Sequence, residues 1–218
     1  MDLQRVGVYG GTFDPVHRGH VEVARRVLEL FRLDQMILVP ACVPPHKRNA
    51  NITSAFHRFA MLALATEMDR RLLVSTIELD SPDRPYAVET IARLQNDARQ
   101  LFFLIGADSW LEITTWKDWQ QLLQMCHVIV ATRPGYDVGH SRPATARIED
   151  VRAMNAEAVE EALARDAEKK VFLTDVAMID ISASRIRAAA RAGEVTTLRA
   201  MVPPAVATYI DKHGLYKN

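Results

Sequence analysis

A short apolar run, Arg5 to Gly10, leads into paired glycines, a Phe-Asp-Pro turn and two histidines three residues apart. This passage, Val6 to His20, constrains the fold more than any other part of the chain. Its order predicts a strand, a glycine turn, a loop and a helix N-terminus, with the helix pattern starting near Gly19. Gly10 and Gly11 carry no Cβ, so backbone N–H groups can approach an anion closely there. The first turn of the next helix adds N–H groups and the positive end of its dipole. His17 and His20 can donate hydrogen bonds to phosphate oxygens from the same lip. Each element alone has a plainer reading. A Gly-Gly pair after a strand is a turn, and His-x-x-His without a third ligand is an incomplete zinc site. No Gly-Lys-Ser/Thr follows, and the glycine spacing is not that of a dinucleotide fingerprint.

Strands and helices then alternate. Val21, Ala24, Val27, Leu28 and Phe31 recur at helical spacing, and Gln35 to Pro40 is a continuous apolar strand. Strand–helix–strand of this length is a βαβ unit with parallel strands and a right-handed crossover. The prolines of Pro40 to Asn51 make a loop whose tip gathers His46, Lys47 and Arg48. Ser54 to Glu67 reads as a helix capped by Ser54, with Phe56 and Phe59 inward and His57 and Arg58 outward. Leu72 to Ile77 is a strand, and a helix runs from Tyr86 to about Asp97. Gln100 to Ile105 is the most apolar strand, expected at the centre of the sheet, and it ends at Gly106-Ala107-Asp108. Trp110 and Trp119 read as core. His127 to Ala131 is a further strand ended by Arg133-Pro-Gly, and Val138 to Thr145 is a polar loop. Ala146 to Arg165 reads as one added surface helix, a candidate homo-oligomer contact without catalytic groups. Val171 to Asp175 is the last strand. Ser182 and Ser184 then precede an amphipathic helix, and a terminal helix starts at Val202-Pro-Pro and ends near Gly214. The pattern predicts a doubly wound, mainly parallel α/β sheet with helices on both faces.

Composition bounds the function. At 218 residues, 49% hydrophobic and 25% charged, the chain suits one domain, residues 1–218, with 181–218 as its C-terminal helical part. Its 27 basic and 27 acidic side chains balance, which argues against nucleic acid as a partner and leaves room for a local anion pocket. Cys42 and Cys126 lie far apart without metal spacing and are expected as reduced thiols in a cytoplasmic protein. No apolar run reaches transmembrane length, and Met1 to Arg5 is not a signal peptide. No metal site is expected in the chain itself.

Taken together, Gly10-Gly-Thr-Phe-Asp-Pro-Val-His-x-Gly-His20 resembles the (H/T)-x-G-H motif of the nucleotidyltransferase superfamily. It is similar to the bacterial nicotinate mononucleotide adenylyltransferases in particular, and the similarity extends over nearly the whole chain. The resemblance implies a Rossmann-like fold and adenylyl transfer from ATP to nicotinate mononucleotide, with Mg²⁺ carried in on ATP. It implies catalytic roles for His17 and His20. It places Gly10, Gly11, Thr12, Phe13, Gly106, Asp108, Ser182, Ser184 and Arg187 with them against ATP. Lys47, Tyr86, Asp108, Trp116 and Arg133 fall to the nicotinate mononucleotide side, with Trp116 stacked on the pyridine ring. The chain departs from the family pattern at Ala87, where a threonine is usual, and at Ala183. Two other readings stay open: a related transferase with phosphopantetheine or nicotinamide mononucleotide as acceptor, and a catalytically silent nucleotide sensor.

Overall fold

The computed structural model describes residues 3–42, 52–81, 85–132, 146–176, 179 and 181–217. In chain order the elements are β1 (Gln4–Gly11), α1 (Arg18–Leu30), β2 (Gln35–Pro40), α2 (Ala55–Thr66), β3 (Leu72–Val74), α3 (Ala87–Leu94), β4 (Arg99–Gly106), α4 (Ala107–Leu111) and α5 (Trp119–Met125). Then follow β5 (His127–Ala131), β6 (Ile148–Asp150), α6 (Ala156–Ala164), β7 (Val171–Thr174), α7 (Ala183–Arg191), α8 (Val195–Met201) and α9 (Pro204–Lys212). The chain divides into two compact units.

The first unit comprises Met1–Gly10, Val23–Ile37 and Pro85–Met178. Its strands run in the order β2-β1-β4-β5-β7-β6. The β1–β4 ladder is parallel from Gln4↔Arg99 to Tyr9↔Leu104, and β4–β5 is parallel from Phe102↔His127 to Gly106↔Ala131. Strand β7 pairs in parallel with both β5 and β6. Residues Leu101 to Ile105 and Val128 to Val130 are buried without alternation, as strands covered on both faces must be. Phe31 fits edge-on against Phe172 at 5.3 Å and tilted against Phe102 at 6.1 Å, and Trp110 is fully buried. Chain order reverses between β1, whose other neighbour is β2, and β4, which leads on to β5. In such sheets ligands bind beyond the carboxyl ends of the strands at that switch.

The strand boundaries of β2 and β5 match the apolar runs of the sequence. The stretch 146–165 does not. Ile148–Asp150 pairs with Val171–Leu173, so the first part is an edge strand, and only Ala156–Ala164 is helical. A sheet ladder supplied by β7 overrides the local helical spacing. The helix begins where the Asn155 side chain accepts the Ala158 N–H at 3.0 Å.

His127 opens β5 as a buried imidazole, stacked on Phe102 at 4.9 Å, with the Gln100 side-chain amide 3.1 Å from its Nε2. Its Nδ1 accepts the Lys170 N–H at 3.2 Å. Burial, with Lys169 and Lys170 nearby, lowers its pKa to about 3. The unfolded chain, with histidine near its ordinary value, therefore binds more protons than the native one between about pH 3 and 6.5. Stability should rise with pH through that window, and His127→Gln should flatten the rise in thermal melts taken from pH 4 to 7. An unaltered pH dependence would show that the native imidazole takes up protons freely.

The second unit comprises Gly11–Glu22, Leu38–Arg84 and Ile179–Asn218. Here the outer part of β2 runs beside β3, and α2 packs on α9. Strand β3 ends at Val74, short of the Ile77 expected from sequence. Two residues of α2 reverse their expected faces: Phe56 is 76% exposed and Arg58 only 1% exposed. His57, expected outward, is half-buried, with Nδ1 2.9 Å from the Tyr209 hydroxyl. Ser54 stands at the N-cap position of α2 without a side-chain capping bond.

Candidate functional site

Gly11 to His20 and the Ser182–Arg187 motif lie in the second unit, where the Arg187 side chain reaches the backbone of the turn. Phe13 sits in the left-handed region at φ 49°, and the buried residues Asp14, Pro15 and Val16 follow. His17 and His20 stack, their ring centroids 3.6 Å apart at 26°. The His17 N–H donates to His20 Nδ1 at 3.2 Å. An imidazole that accepts at Nδ1 carries its proton on Nε2, so His20 presents a donor on its other edge. The edge of Phe13 meets the His20 ring at 5.1 Å. Gly19 explains itself in the same way: a Cβ there would stand 3.0 Å from His17 Nδ1 and crowd the ring. The sequence His-x-Gly-His thus packs two imidazoles side by side at the start of a helix.

Asp14 is the hub of this turn. Its Oδ1 accepts the Tyr216 hydroxyl at 2.7 Å, and its Oδ2 accepts the Thr53 N–H at 3.3 Å. Burial and the Asp14 charge push the Tyr216 phenol well above its ordinary range, so it remains a donor. The Asp14 carbonyl accepts Arg187 Nη1 at 2.7 Å, and Arg187 Nη2 reaches the Ser184 hydroxyl at 3.3 Å. Ser182 is the N-cap of α7, its hydroxyl accepting the Arg185 N–H at 3.3 Å. Gly11, Thr12, Phe13, His17, His20, Ser182, Ser184 and Arg187 therefore belong to one unit. Their side chains offer imidazole, hydroxyl and guanidinium donors. That set suits a polyphosphate rather than a bare cation, and Asp14, the carboxyl of the same turn, is already engaged. Among the described residues no cluster of three His, Cys, Asp or Glu side chains could hold a metal ion.

Sequence reasoning missed three contributors: Arg58, Asp14 and Tyr216. The burial of Arg58 has no hydropathy signal, and Tyr216 lies 202 residues from Asp14.

The remaining expected residues lie in the first unit. Gly10 ends the part of β1 that belongs to it, and a Cβ there would rest in ordinary contact with Phe103 at 3.5 Å. Gly106 is the N-cap of α4, and Asp108 stands exposed in its first turn. Trp116 is half-buried after a 3₁₀ turn, edge-on to Phe103 at 6.3 Å. Its indole N–H is buried and finds no acceptor among the described residues. Tyr86, at the N-cap of α3, is 38% exposed. Lys117 Nζ lies 4.7 Å above the Tyr86 ring and 2.7 Å from Glu89 Oε1, and Glu89 Oε2 accepts the Tyr86 N–H at 3.0 Å. The hydrogen bond to Lys117 lowers the Glu89 pKa. Lys47 and Arg133 lie outside the described residues. Both thiols are free, and burial pushes the Cys126 pKa up to about 12, which makes it a packing residue. Among the described residues no helix is long and apolar enough to cross a membrane.

Comparison with known proteins identifies the family. A family model described as cytidylyltransferase-like matches residues 8–189. A protein of Desulfatibacillum aliphaticivorans named as a probable nicotinate-nucleotide adenylyltransferase is 36% identical, over 97% of this chain and 99% of its own. One of the same name from Chromobacterium violaceum is 37% identical, over 98% and 99%. The solved structure of Plasmodium falciparum nicotinic acid mononucleotide adenylyltransferase complexed with NaAD superposes with a TM-score of 0.70. It covers 98% of this chain and 97% of its own at 18% identity, and so shares the fold. The chain belongs to the cytidylyltransferase-like nucleotidyltransferases and, within them, to the nicotinate-nucleotide adenylyltransferase family of enzymes.

Proposed function

We propose that this enzyme, acting as a single nucleotidyltransferase domain of the cytoplasm, joins ATP and nicotinate mononucleotide into nicotinate adenine dinucleotide and pyrophosphate. The observation that carries the reading is the stacked His17–His20 pair, with His20 Nδ1 pinned by a backbone N–H and Arg187 tied to the same turn. A 5′-phosphate oxygen of nicotinate mononucleotide attacks the α-phosphorus of Mg·ATP. The bond from that phosphorus to the bridging oxygen of pyrophosphate breaks as the new one forms. No side chain of the turn is a covalent nucleophile in this scheme. Catalysis comes from alignment of two anions and from donors placed where negative charge develops. His20 Nε2–H stabilises that charge, with His17 beside it on the ATP phosphates. Amides of Gly10, Gly11, Thr12 and Phe13, with Ser182, Ser184 and Arg187, bind phosphate. Mg²⁺ arrives on ATP and is held by phosphate oxygens and water. Gly106 and Asp108 serve the ribose side, and Lys47, Tyr86 and Arg133 the mononucleotide.

Trp116 stacks on the electron-poor pyridinium, an attraction of about 0.5–2 kcal/mol. Trp116→Ala should therefore raise KM for nicotinate mononucleotide about tenfold, with KM for Mg·ATP within about twofold. Equal changes in both constants would remove Trp116 from the mononucleotide side.

The reaction course is tested with ATP made chiral at the α-phosphorus. A single in-line displacement gives a dinucleotide of inverted configuration, identified by mass and by phosphorus NMR. Retention would require an adenylyl-enzyme intermediate and overturn the direct transfer.

A further inference from the structure

None of the substrate roles above uses Arg58, yet it is the most fully engaged cation described in the second unit. It projects from the first turn of α2, and its guanidinium reaches four backbone carbonyls. Nε donates to Thr53 at 2.9 Å and Nη1 to Thr12 at 2.7 Å. Nη2 donates to Ala41 at 2.7 Å and to Cys42 at 3.1 Å. A buried guanidinium is tolerated only when its donors are satisfied in this way, and the nearby Asp14 charge supports it. The flat, forked group can bridge separate backbone segments at once, which a lysine ammonium cannot.

One of those carbonyls has a direct consequence. Thr12 precedes Phe13, whose φ of 49° is an unusual conformation for a bulky residue. Such a conformation persists where the surroundings fix the chain on both sides. Arg58 holds the carbonyl before Phe13, and Arg187 holds the Asp14 carbonyl after it. The Phe13 ring in turn meets the His20 imidazole edge-on. We propose that Arg58 is a positioning residue for adenylyl transfer: by holding the Thr12 carbonyl it fixes the backbone of Phe13, and through the Phe13 ring it fixes the direction of the His20 imidazole. The proposal rests on the function proposed above, so the unmutated chain is first assayed for pyrophosphate release with nicotinate mononucleotide, which tests that function by itself.

Arg58→Lys is then measured alone and combined with His20→Ala in the full chain. Misplacing a catalytic group by about 1 Å costs roughly 100-fold. The single variant should lose 10- to 100-fold in kcat, with KM for nicotinate mononucleotide within about twofold. In the His20→Ala background the same change should cost less than about threefold, because the group it positions is gone. Equal losses in both backgrounds mean that Arg58 only holds the fold, and the proposal fails. A measurement on the unmutated chain covers the case of a variant that does not fold. The Nη protons of Arg58 should exchange with water at least a hundredfold slower than those of exposed Arg18, and Mg·ATP should shift the Phe13 ring protons together with the His20 ring. Arg58 protons as labile as those of Arg18, or a Phe13 ring unmoved while His20 shifts, would overturn it.

Discussion

His20→Ala lowers kcat by about 100- to 1,000-fold while leaving the protein folded; that is the expected result of removing one donor aimed at developing charge. The imidazole is held by a backbone N–H on its Nδ1, by His17 on its face and by Phe13 at its edge. Loss of these ring contacts costs about 1 kcal/mol of stability, small beside the kinetic effect. The check is a thermal melt next to steady-state pyrophosphate release. A folded His20→Ala protein with unchanged turnover would remove the histidine from the chemistry, and with it the reason for the His-x-Gly-His spacing.

Arg187→Met should lower kcat/KM for Mg·ATP by about 100-fold, chiefly through KM. Two effects combine. A charge-assisted bond to phosphate is lost, typically about 1.5–3 kcal/mol, and so is the tie to the Asp14 carbonyl. Arg187→Lys keeps the charge without the fork that also reaches Ser184, and should recover only part of the loss. Initial rates at varied Mg·ATP separate these outcomes. Equal KM values for wild type and Arg187→Met would show that Arg187 serves the turn and not the nucleotide.

The chain's local chemistry made much of this legible. Strands β2 and β5 are unbroken apolar runs, and their limits follow directly from them. The stretch from Gly10 to His20 carries its own turn, helix start and histidine pair, so its chemistry could be read without knowledge of the fold. What failed were residues whose environment comes from elsewhere in the chain. Arg58 looks like a solvated side chain at helical spacing, and only the carbonyls of Thr12, Ala41, Cys42 and Thr53 give it a reason to be buried. Phe56, two positions before it, stands outward in its place. Residues 148–150 are a strand because β7 offers them a ladder, which no local periodicity announces. Asp14 reads as part of a turn until Tyr216 returns from the far end of the sequence to bond it.

The most direct measurement is pyrophosphate release from Mg·ATP with nicotinate mononucleotide, nicotinamide mononucleotide or phosphopantetheine as acceptor. Release should depend on nicotinate mononucleotide, with nicotinate adenine dinucleotide formed in equal amount. Preference for either other acceptor would keep the phosphate-binding turn and overturn the assignment of Trp116 and Asp108. ATP binding without release from any acceptor would contradict adenylyl transfer and make the folded chain a nucleotide sensor.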